Sequence, residues 1–180
     1  MKTCELCFID KYCIKVIYEK RSARQITMDK ELHRITSTCI IHKEGRYLLL
    51  QRSFDKKVFP GKWTVPGGGL SIDDYIDTPK TTADHWYYAL ENSLRCEIKE
   101  EAGIEVGKMS YCCDMTFIRP DNIPVIILSF YAPYKSGEIK LDHESVNHAW
   151  ATCEELKNHD LIEGIAHEIQ MVDDLVNVSK

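Results

Sequence analysis

A helical pattern near the middle of the chain constrains the fold more than any other feature of the sequence. Apolar side chains recur there at every fourth position, namely at Leu90, Leu94, Ile98 and Ala102. This spacing predicts an α-helix over about residues 83–102 with one buried side. Gly103 follows at a position where helices commonly end.

Three carboxylates lie on another side of the same predicted helix. Glu97, Glu100 and Glu101 are spaced i, i+3 and i+4, which brings them together on one helical turn. Three glutamates taken alone are most simply a solvated acidic face. The glycine-rich residues 66–69 upstream favour a cation site instead, because glycines let a backbone approach a metal or a phosphate closely. Mg²⁺ and Mn²⁺ prefer such oxygen ligands.

Length, composition and charge exclude several classes of protein. The chain has 180 residues, of which 44% are hydrophobic and 28% charged, as expected for a single globular domain over residues 1–180. Neither a membrane-length apolar run nor a secretory leader is visible, so we expect a cytoplasmic protein without a membrane partner. The net charge of −5 argues against a nucleic-acid polymer as partner, but not against a small phosphorylated substrate.

Eight cysteines are best interpreted as reduced thiols, because the chain is large for a disulfide scaffold and most of them lie in apolar runs. Cys4 and Cys7 have the spacing of half a zinc site. No second pair of this kind follows, so two ordinary cysteines are the preferred interpretation.

Several short strands surround the central helix. The predicted strands cover residues 13–18, 35–41, 46–52, 63–65, 112–118, 125–131 and 149–151, with a hairpin turn at residues 42–45. Residues 1–32 form an N-terminal extension that contains the first of these strands. A second apolar stripe, between Leu161 and Val176, predicts a C-terminal helix within residues 157–180. Strands with a central and a terminal helix indicate a mixed α+β layered fold.

Residues 96–104, Cys-Glu-Ile-Lys-Glu-Glu-Ala-Gly-Ile, resemble the second half of the Nudix box, G-x5-E-x7-R-E-U-x-E-E-x-G-U, where U is aliphatic. Residues 63–70 are similar to the strand and glycine loop that lead into that box, and the similarity extends over about residues 33–157. The resemblance implies an α/β/α sandwich with a central mixed β-sheet. It also implies that residues 67–104 form a loop, a helix and a second loop.

The sequence departs from the box in two ways. Cys96 occupies the position of the box arginine, and Arg95 lies one residue too early to replace it. In addition, 21 residues separate Asp74 from Cys96, which is 14 more than the pattern has. We expect this insertion to add a turn at the front of the helix, with aromatic residues such as Trp86 packing on the core or facing a substrate base.

The resemblance also implies an activity and its residues. Nudix enzymes hydrolyse nucleoside diphosphates linked to another group X, so the expected partner is a small nucleotide and the expected cofactor is Mg²⁺ or Mn²⁺. By analogy the metal ligands are Glu97, Glu100, Glu101 and the backbone carbonyl of Gly67. The general base is left open among the box glutamates and Glu144, which lies in a loop where the family often supplies an acidic residue.

Four further residues are candidates for binding the substrate, and they are Arg52, Gly68, Gly69 and Arg119. The identity of X does not follow from the box, because Nudix enzymes select substrates through loops outside it. A homodimer is also possible, since the N-terminal strand and the C-terminal helix could each pack on a second copy of the chain.

Two other functions compete with hydrolysis. Residues 32–34, 48–53 and 59–64 are also similar to isopentenyl-diphosphate isomerases, which share the fold but place a catalytic cysteine just after the tryptophan strand. Here that stretch reads Val65-Pro66-Gly67-Gly68, which favours a hydrolase. A nucleotide-binding module with weak catalysis is the second alternative, motivated by Cys96 and by the insertion.

Overall fold

The computed structural model describes residues 32–177. The strand predicted at residues 13–18 and the pair Cys4 and Cys7 lie outside this range, so the N-terminal extension and the single-domain assignment stay predictions. The described chain contains eight strands and two α-helices: β1 (Arg34–Lys43), β2 (Arg46–Arg52), β3 (Trp63–Thr64), β4 (Gly67–Gly69), α1 (Ala89–Ala102), β5 (Glu105–Val106), β6 (Ser110–Ile118), β7 (Pro124–Ser136), β8 (Ser145–Ala151) and α2 (Ile165–Asn177).

Strand β1 lies in the middle of a mixed sheet. It pairs in parallel with β7 along nearly its whole length, and antiparallel with β4 on its other side. A tight turn at Glu44 and Gly45, both with positive φ, returns the chain into β2. Strand β2 then pairs with β3 and β8, while β7 pairs with β5 and β6. The sheet therefore contains parallel and antiparallel pairs, as the sequence predicted.

Alternate residues of β1 and β2 face opposite sides of the sheet, which follows from the two-residue period of a strand. One side packs against α1 through residues that include Cys39, Ile41, Leu48, Leu50, Leu94 and Ile98. The other side packs against α2 through residues that include Ile40, Tyr47, Leu49, Ile165, Ile169 and Val172. The sheet thus lies between two helices, and the predicted α/β/α sandwich is confirmed.

The central helix is shorter than the apolar stripe predicted. Helix α1 begins at Ala89, after Tyr88 in the left-handed conformation with φ of 62°. The insertion therefore forms a loop of turns and adds no helical turn, so that prediction was wrong. Local bonds explain the difference, because the Trp86 indole donates to the Thr78 carbonyl (3.0 Å) and the Tyr87 amide donates to the Thr81 hydroxyl (3.2 Å). Such bonds compete with those of a helix.

The C-terminal helix also starts later than residue 157. Residues 154–158 form a short 3₁₀ helix, which Thr152 and Glu155 open through reciprocal side-chain to backbone bonds, and α2 begins at Ile165. Within residues 32–177 no helix is long and apolar enough to cross a membrane.

Replacement of Leu94 by alanine tests the packing of α1 on the sheet. Leu94 is fully buried among β1 and β2 residues, so Leu94→Ala should lower the free energy of unfolding by about 2–5 kcal/mol, measured by urea denaturation. Ile72→Ala serves as the control, since Ile72 is 58% exposed. Equal effects of the two substitutions would contradict the described packing of α1.

Candidate active site

An open cleft of about 1100 Å³ lies beside the N-terminal half of β1 and extends from α1 to the start of α2. Its walls combine the backbone of β4 with side chains from α1, from the β6–β7 hairpin and from the loops around residues 56–59, 142–144 and 162–164. Every site residue named from the sequence lines it, namely Arg52, Gly67, Gly68, Gly69, Glu97, Glu100, Glu101, Arg119 and Glu144. The fold therefore brings together residues that lie up to 92 positions apart in the sequence.

Helix α1 presents the carboxylates to this cleft because its apolar side faces the sheet. Leu94, Ile98 and Ala102 are buried, which leaves Glu97, Glu100 and Glu101 on the side towards β4. The Gly67 amide donates a hydrogen bond of 3.0 Å to Glu101 Oε2. This bond connects the glycine strand directly to the helix.

Two glycines of β4 are required by close approach. A Cβ atom at Gly67 would overlap the backbone of Ser37 and Thr38 in β1, and one at Gly68 would overlap the Glu97 carboxylate. A larger residue at either position would separate β4 from β1 or displace Glu97. The glycine-rich sequence thus allows a backbone strand to lie between the sheet and the carboxylates.

Burial and mutual repulsion make two of these carboxylates hard to ionise. Desolvation raises the pKa of Glu101 to about 8, against the lowering effect of the Gly67 hydrogen bond, and Glu97 adds a repulsive contribution. The pKa of Glu97 is also raised, first by burial and then by the charges of Glu100 and Asp74. A cation bound between these groups would remove both penalties.

Glu144 has a different environment from the box glutamates. It forms an ion pair with Lys56, and this hydrogen-bonded lysine lowers the pKa of the Glu144 carboxyl. The Ser53 amide donates to the Glu144 carbonyl (2.7 Å), which holds the two loops together. Glu144 therefore remains ionised at neutral pH.

Basic side chains also line the cleft. Arg52 and Arg119 were predicted from the sequence, and Arg34 and Lys56 are added by the structure. The Arg52 Nε donates to the Val58 carbonyl (3.2 Å), and Arg119 pairs with Asp121 at 2.8 Å. The buried Nε of Arg119 has no hydrogen-bond partner among the described residues. These cations can offset the charge of an anionic ligand beside the glutamates.

The two departures from the box have separate structural outcomes. Cys96 is exposed on α1, whereas Arg95 donates to the carbonyls of Val106 and Gly107 and pairs with Glu91. Arg95 therefore ties α1 to the segment that follows it and does not enter the cleft. Asp74, at the position of the first box glutamate, accepts a bond of 2.9 Å from Ser93 and so holds the insertion loop on α1.

Trp86 packs within the loop of the insertion, whereas Tyr87 and Tyr88 are exposed. Trp86 lies against Tyr75, with ring centroids 5.3 Å apart, and the Lys80 ammonium lies 4.9 Å from the Trp86 ring centre. Trp86 is not part of the cleft lining, so the structure supports its packing role and not a contact with a substrate base.

Sequence reasoning missed several residues of the cleft. Lys56 belongs to no motif, and Arg34 lies in a stretch that resembles isomerases, so neither was named as a residue of the cleft. Asp142 lies two residues before Glu144, and its Oδ1 atom accepts a hydrogen bond from the Glu144 amide (2.9 Å). Glu168 could have been found, because at 100° per residue it falls within about 40° of Val172 on the buried side of α2.

Comparisons with known proteins agree with this geometry. The model of the NUDIX domain matches residues 31–172. The chain belongs to the Nudix family. Among its relatives, the nucleoside triphosphatase NudI of Klebsiella pneumoniae (strain 342) is 30% identical over 132 residues, which cover 68% of this chain and 84% of NudI. The expectation of a Nudix pyrophosphohydrolase is confirmed at the level of this family.

Solved Nudix structures share the fold. A MutT Nudix hydrolase from Burkholderia pseudomallei has a TM-score of 0.64 at 21% identity, with 79% of this chain and 99% of that chain covered. The Nudix domain of Shewanella oneidensis NrtR, solved with ADP ribose, has a TM-score of 0.63 at 14% identity, with 82% and 91% covered. At these identities the likeness concerns the fold alone.

The raised pKa of Glu101 makes the stability of this Nudix protein depend on pH. The pKa of Glu101 in the folded protein, about 8, lies above the ordinary 4.5, so the folded state binds the proton more tightly than the unfolded state. The stability that comes from this proton is lost as the pH rises between these two values. Glu101→Gln removes the titration and keeps an acceptor for the Gly67 amide. In EDTA, the free energy of unfolding of the variant should equal that of the wild type near pH 4.5. At pH 8.5 it should be roughly 2–4 kcal/mol higher than that of the wild type.

Urea denaturation across this pH range provides the measurement. Glu138→Gln is the control, because Glu138 is exposed and lies outside the cleft. A constant difference between Glu101→Gln and the wild type at all pH values would show that Glu101 does not titrate in this way.

Proposed function

We propose that this Nudix protein is a divalent-metal-dependent hydrolase that cleaves a diphosphate bond in a nucleoside diphosphate linked to X. The observation that carries the proposal is the convergence of the three α1 glutamates and the β4 glycines in one cleft with basic side chains. Such a cleft can accept both a divalent cation and the phosphates that the cation would neutralise.

The donor set fits Mg²⁺ or Mn²⁺. Glu97, Glu100 and Glu101 offer only oxygen atoms, and the pKa values of Glu97 and Glu101 are raised by burial and by neighbouring negative charge. Within residues 32–177 no three acidic, histidine or cysteine side chains already converge in ligating geometry. Binding would therefore require some of these glutamates to change rotamer, with the Gly67 carbonyl as a further ligand.

The bound cation would supply positive charge to the phosphates and acidify the attacking water. The residues of the chain then have distinct tasks. Arg52 and Arg119 bind phosphate oxygens of the substrate, and the backbone of Gly68 and Gly69, which has no side chains, lines the cleft beside the helix. These contacts orient the scissile bond towards the water.

We assign the general base to Glu144. Lys56 holds its carboxylate ionised, whereas burial and repulsion favour protonation of Glu101 unless a cation neutralises it. Glu144 would take a proton from the water molecule while the oxygen of that water attacks phosphorus. The phosphoanhydride bond to the leaving phosphate would then break. The α1 glutamates are assigned to the cation.

Nucleoside triphosphates are the first substrate class to test, because the relative NudI carries the name nucleoside triphosphatase. A cytoplasmic location, the exclusion of nucleic-acid polymers and a homodimer stay predictions.

Removal of two α1 carboxylates tests the metal assignment. Glu100→Gln/Glu101→Gln should lower kcat by about 100-fold or more in Mg²⁺ or Mn²⁺, because each lost ligand weakens cation binding. Phosphate or pyrophosphate release from a panel of nucleotides is the measurement. Glu138→Gln/Glu154→Gln removes two exposed carboxylates outside the cleft and should retain wild-type turnover. Full activity of the Glu100/Glu101 variant would refute the assignment.

The assignment of Glu144 predicts a selective loss of kcat. Glu144→Gln keeps the size of the side chain but cannot accept the proton, so kcat should fall by about 10²–10⁴-fold with little change in KM. If kcat is unchanged while KM rises, Glu144 contributes to binding and the base is one of the α1 glutamates.

A nucleotide-binding module with weak catalysis is a second candidate, favoured by Cys96 at the position of the box arginine. It predicts that nucleotides raise the Tm of the protein without being turned over in either metal. An isomerase is less well supported, because none of the five cysteines within residues 32–177 lines the cleft.

A further inference from the structure

A buried carboxyl group of helix α2, that of Glu168, also lines the cleft. Glu168 is only 3% exposed, yet it belongs to the side of α2 whose other buried members are Ile165, Ile169 and Val172. No lysine or arginine of the described chain pairs with it. Burial raises the pKa of the Glu168 carboxyl group. An apolar residue at this position would make the folded protein more stable.

Besides Glu168, this part of the cleft lining contains apolar side chains, and we use the name inner pocket for the part lined by Met115, Phe117, Val125, Ile127, Ile162 and Ile165. The strand register explains its apolar character, because Met115 pairs with Ile127 and Phe117 with Val125, so these side chains form rows on the face of the sheet that α2 covers. The inner pocket is continuous with the charged part of the cleft.

Glu168 is held by a directed chain of hydrogen bonds. The Ser129 hydroxyl donates to Glu168 Oε2, and Ser129 Oγ also lies 3.0 Å from Thr38 Oγ1. A serine hydroxyl has one proton, so Thr38 must be the donor to Ser129. The chain of donors therefore runs from Thr38 through Ser129 to Glu168. The oxygen Thr38 Oγ1 can still accept a hydrogen bond from a group in the cleft.

The second oxygen of Glu168, Oε1, has no hydrogen-bond donor among the described residues. It lies beside Gly164, which has φ of 95° and lacks a side chain that could cover it. A Cβ atom at Gly164 would sit 3.7 Å from Oε1 and 3.6 Å from Met115 Cε. The inner pocket therefore offers hydrogen-bond acceptors, Glu168 Oε1 and Thr38 Oγ1, between apolar walls.

We propose that Glu168 determines which nucleobase the enzyme accepts, by receiving a hydrogen bond from an exocyclic amino group of the base in the inner pocket. Apolar walls suit the faces of a planar ring, and acceptors at the end of the pocket suit N–H groups on its edge. In place of the amino group uracil has an oxo group, which would face the carboxylate without a proton between them, and hypoxanthine has only a C–H group, which donates no such hydrogen bond. The site should therefore prefer cytosine to uracil, or guanine to hypoxanthine.

The inference rests on the proposed nucleotide substrate but can be tested without turnover. Nucleoside 5′-monophosphates contain no phosphoanhydride bond, so their binding to the full chain can be measured by NMR titration. Two matched pairs, CMP with UMP and GMP with IMP, differ in the amino group. We expect the amino-bearing member of at least one pair to bind about tenfold more tightly, as hydrogen bonds to charged groups allow.

Glu168→Gln should reduce that preference to within about threefold, because the amide presents N–H donors where the carboxylate only accepts. Asp174→Asn is the matched control on the same helix, since Asp174 is exposed, lies outside the cleft and should leave the preference unchanged. If Glu168→Gln does not fold, Glu168→Asp keeps the charge but withdraws the acceptor, and it should weaken the amino-bearing ligand selectively.

Three results would overturn the inference: no detectable binding of any monophosphate, no preference for an amino-bearing base, or a preference that survives in folded Glu168 variants. Hydrolysis assays on nucleoside triphosphates separate this failure from that of the proposed function. Turnover with a base preference independent of Glu168 would leave the hydrolase intact and remove the role of Glu168. A base preference that depends on Glu168, without any turnover, would support the role of Glu168 and refute the proposed hydrolase.

Discussion

The hydrogen bond from the Gly67 amide to Glu101 joins the sheet to helix α1 at the point on which the candidate site depends. It can form because β4 has no side chains, so the strand packs directly on β1 and Glu97 packs directly on Gly68. Burial of Glu101 beside β4 withdraws its carboxyl group from water and raises its pKa, against the lowering effect of this hydrogen bond. Under the proposed function, a bound cation would remove this penalty by neutralising the carboxylate.

The cleft lining has two chemically different parts, and both follow from the arrangement of helices about one sheet. Helix α1 contributes carboxylates where its apolar side ends, and nearby loops add arginine and lysine. Helix α2 covers apolar rows of β6 and β7, with one carboxyl group, Glu168, among them. A nucleotide has the same division between charged phosphates and a largely apolar base, which is why the cleft suits that class of ligand.

Much of the fold and half of the site could be predicted from local patterns. The alternation in β1 and β2, the i, i+4 stripe of α1 and the spacing of Glu97, Glu100 and Glu101 are properties of neighbouring residues, so they are visible without a structure. The loop of the insertion was not predictable, because Trp86 continues the apolar helical spacing. Its indole instead bonds to Thr78 and its ring packs on Tyr75, and these contacts depend on the path of the loop.

The family of the chain, its layered fold and the carboxylates of α1 follow from the amino-acid sequence, because each is encoded by short spacings and residue types. Only the tertiary structure decided which distant groups share the cleft. The pairing of Lys56 with Glu144 and the chain from Thr38 through Ser129 to Glu168 join residues 88, 91 and 39 positions apart. Such contacts arise from strand pairing and helix packing, which bring together residues that no local pattern connects.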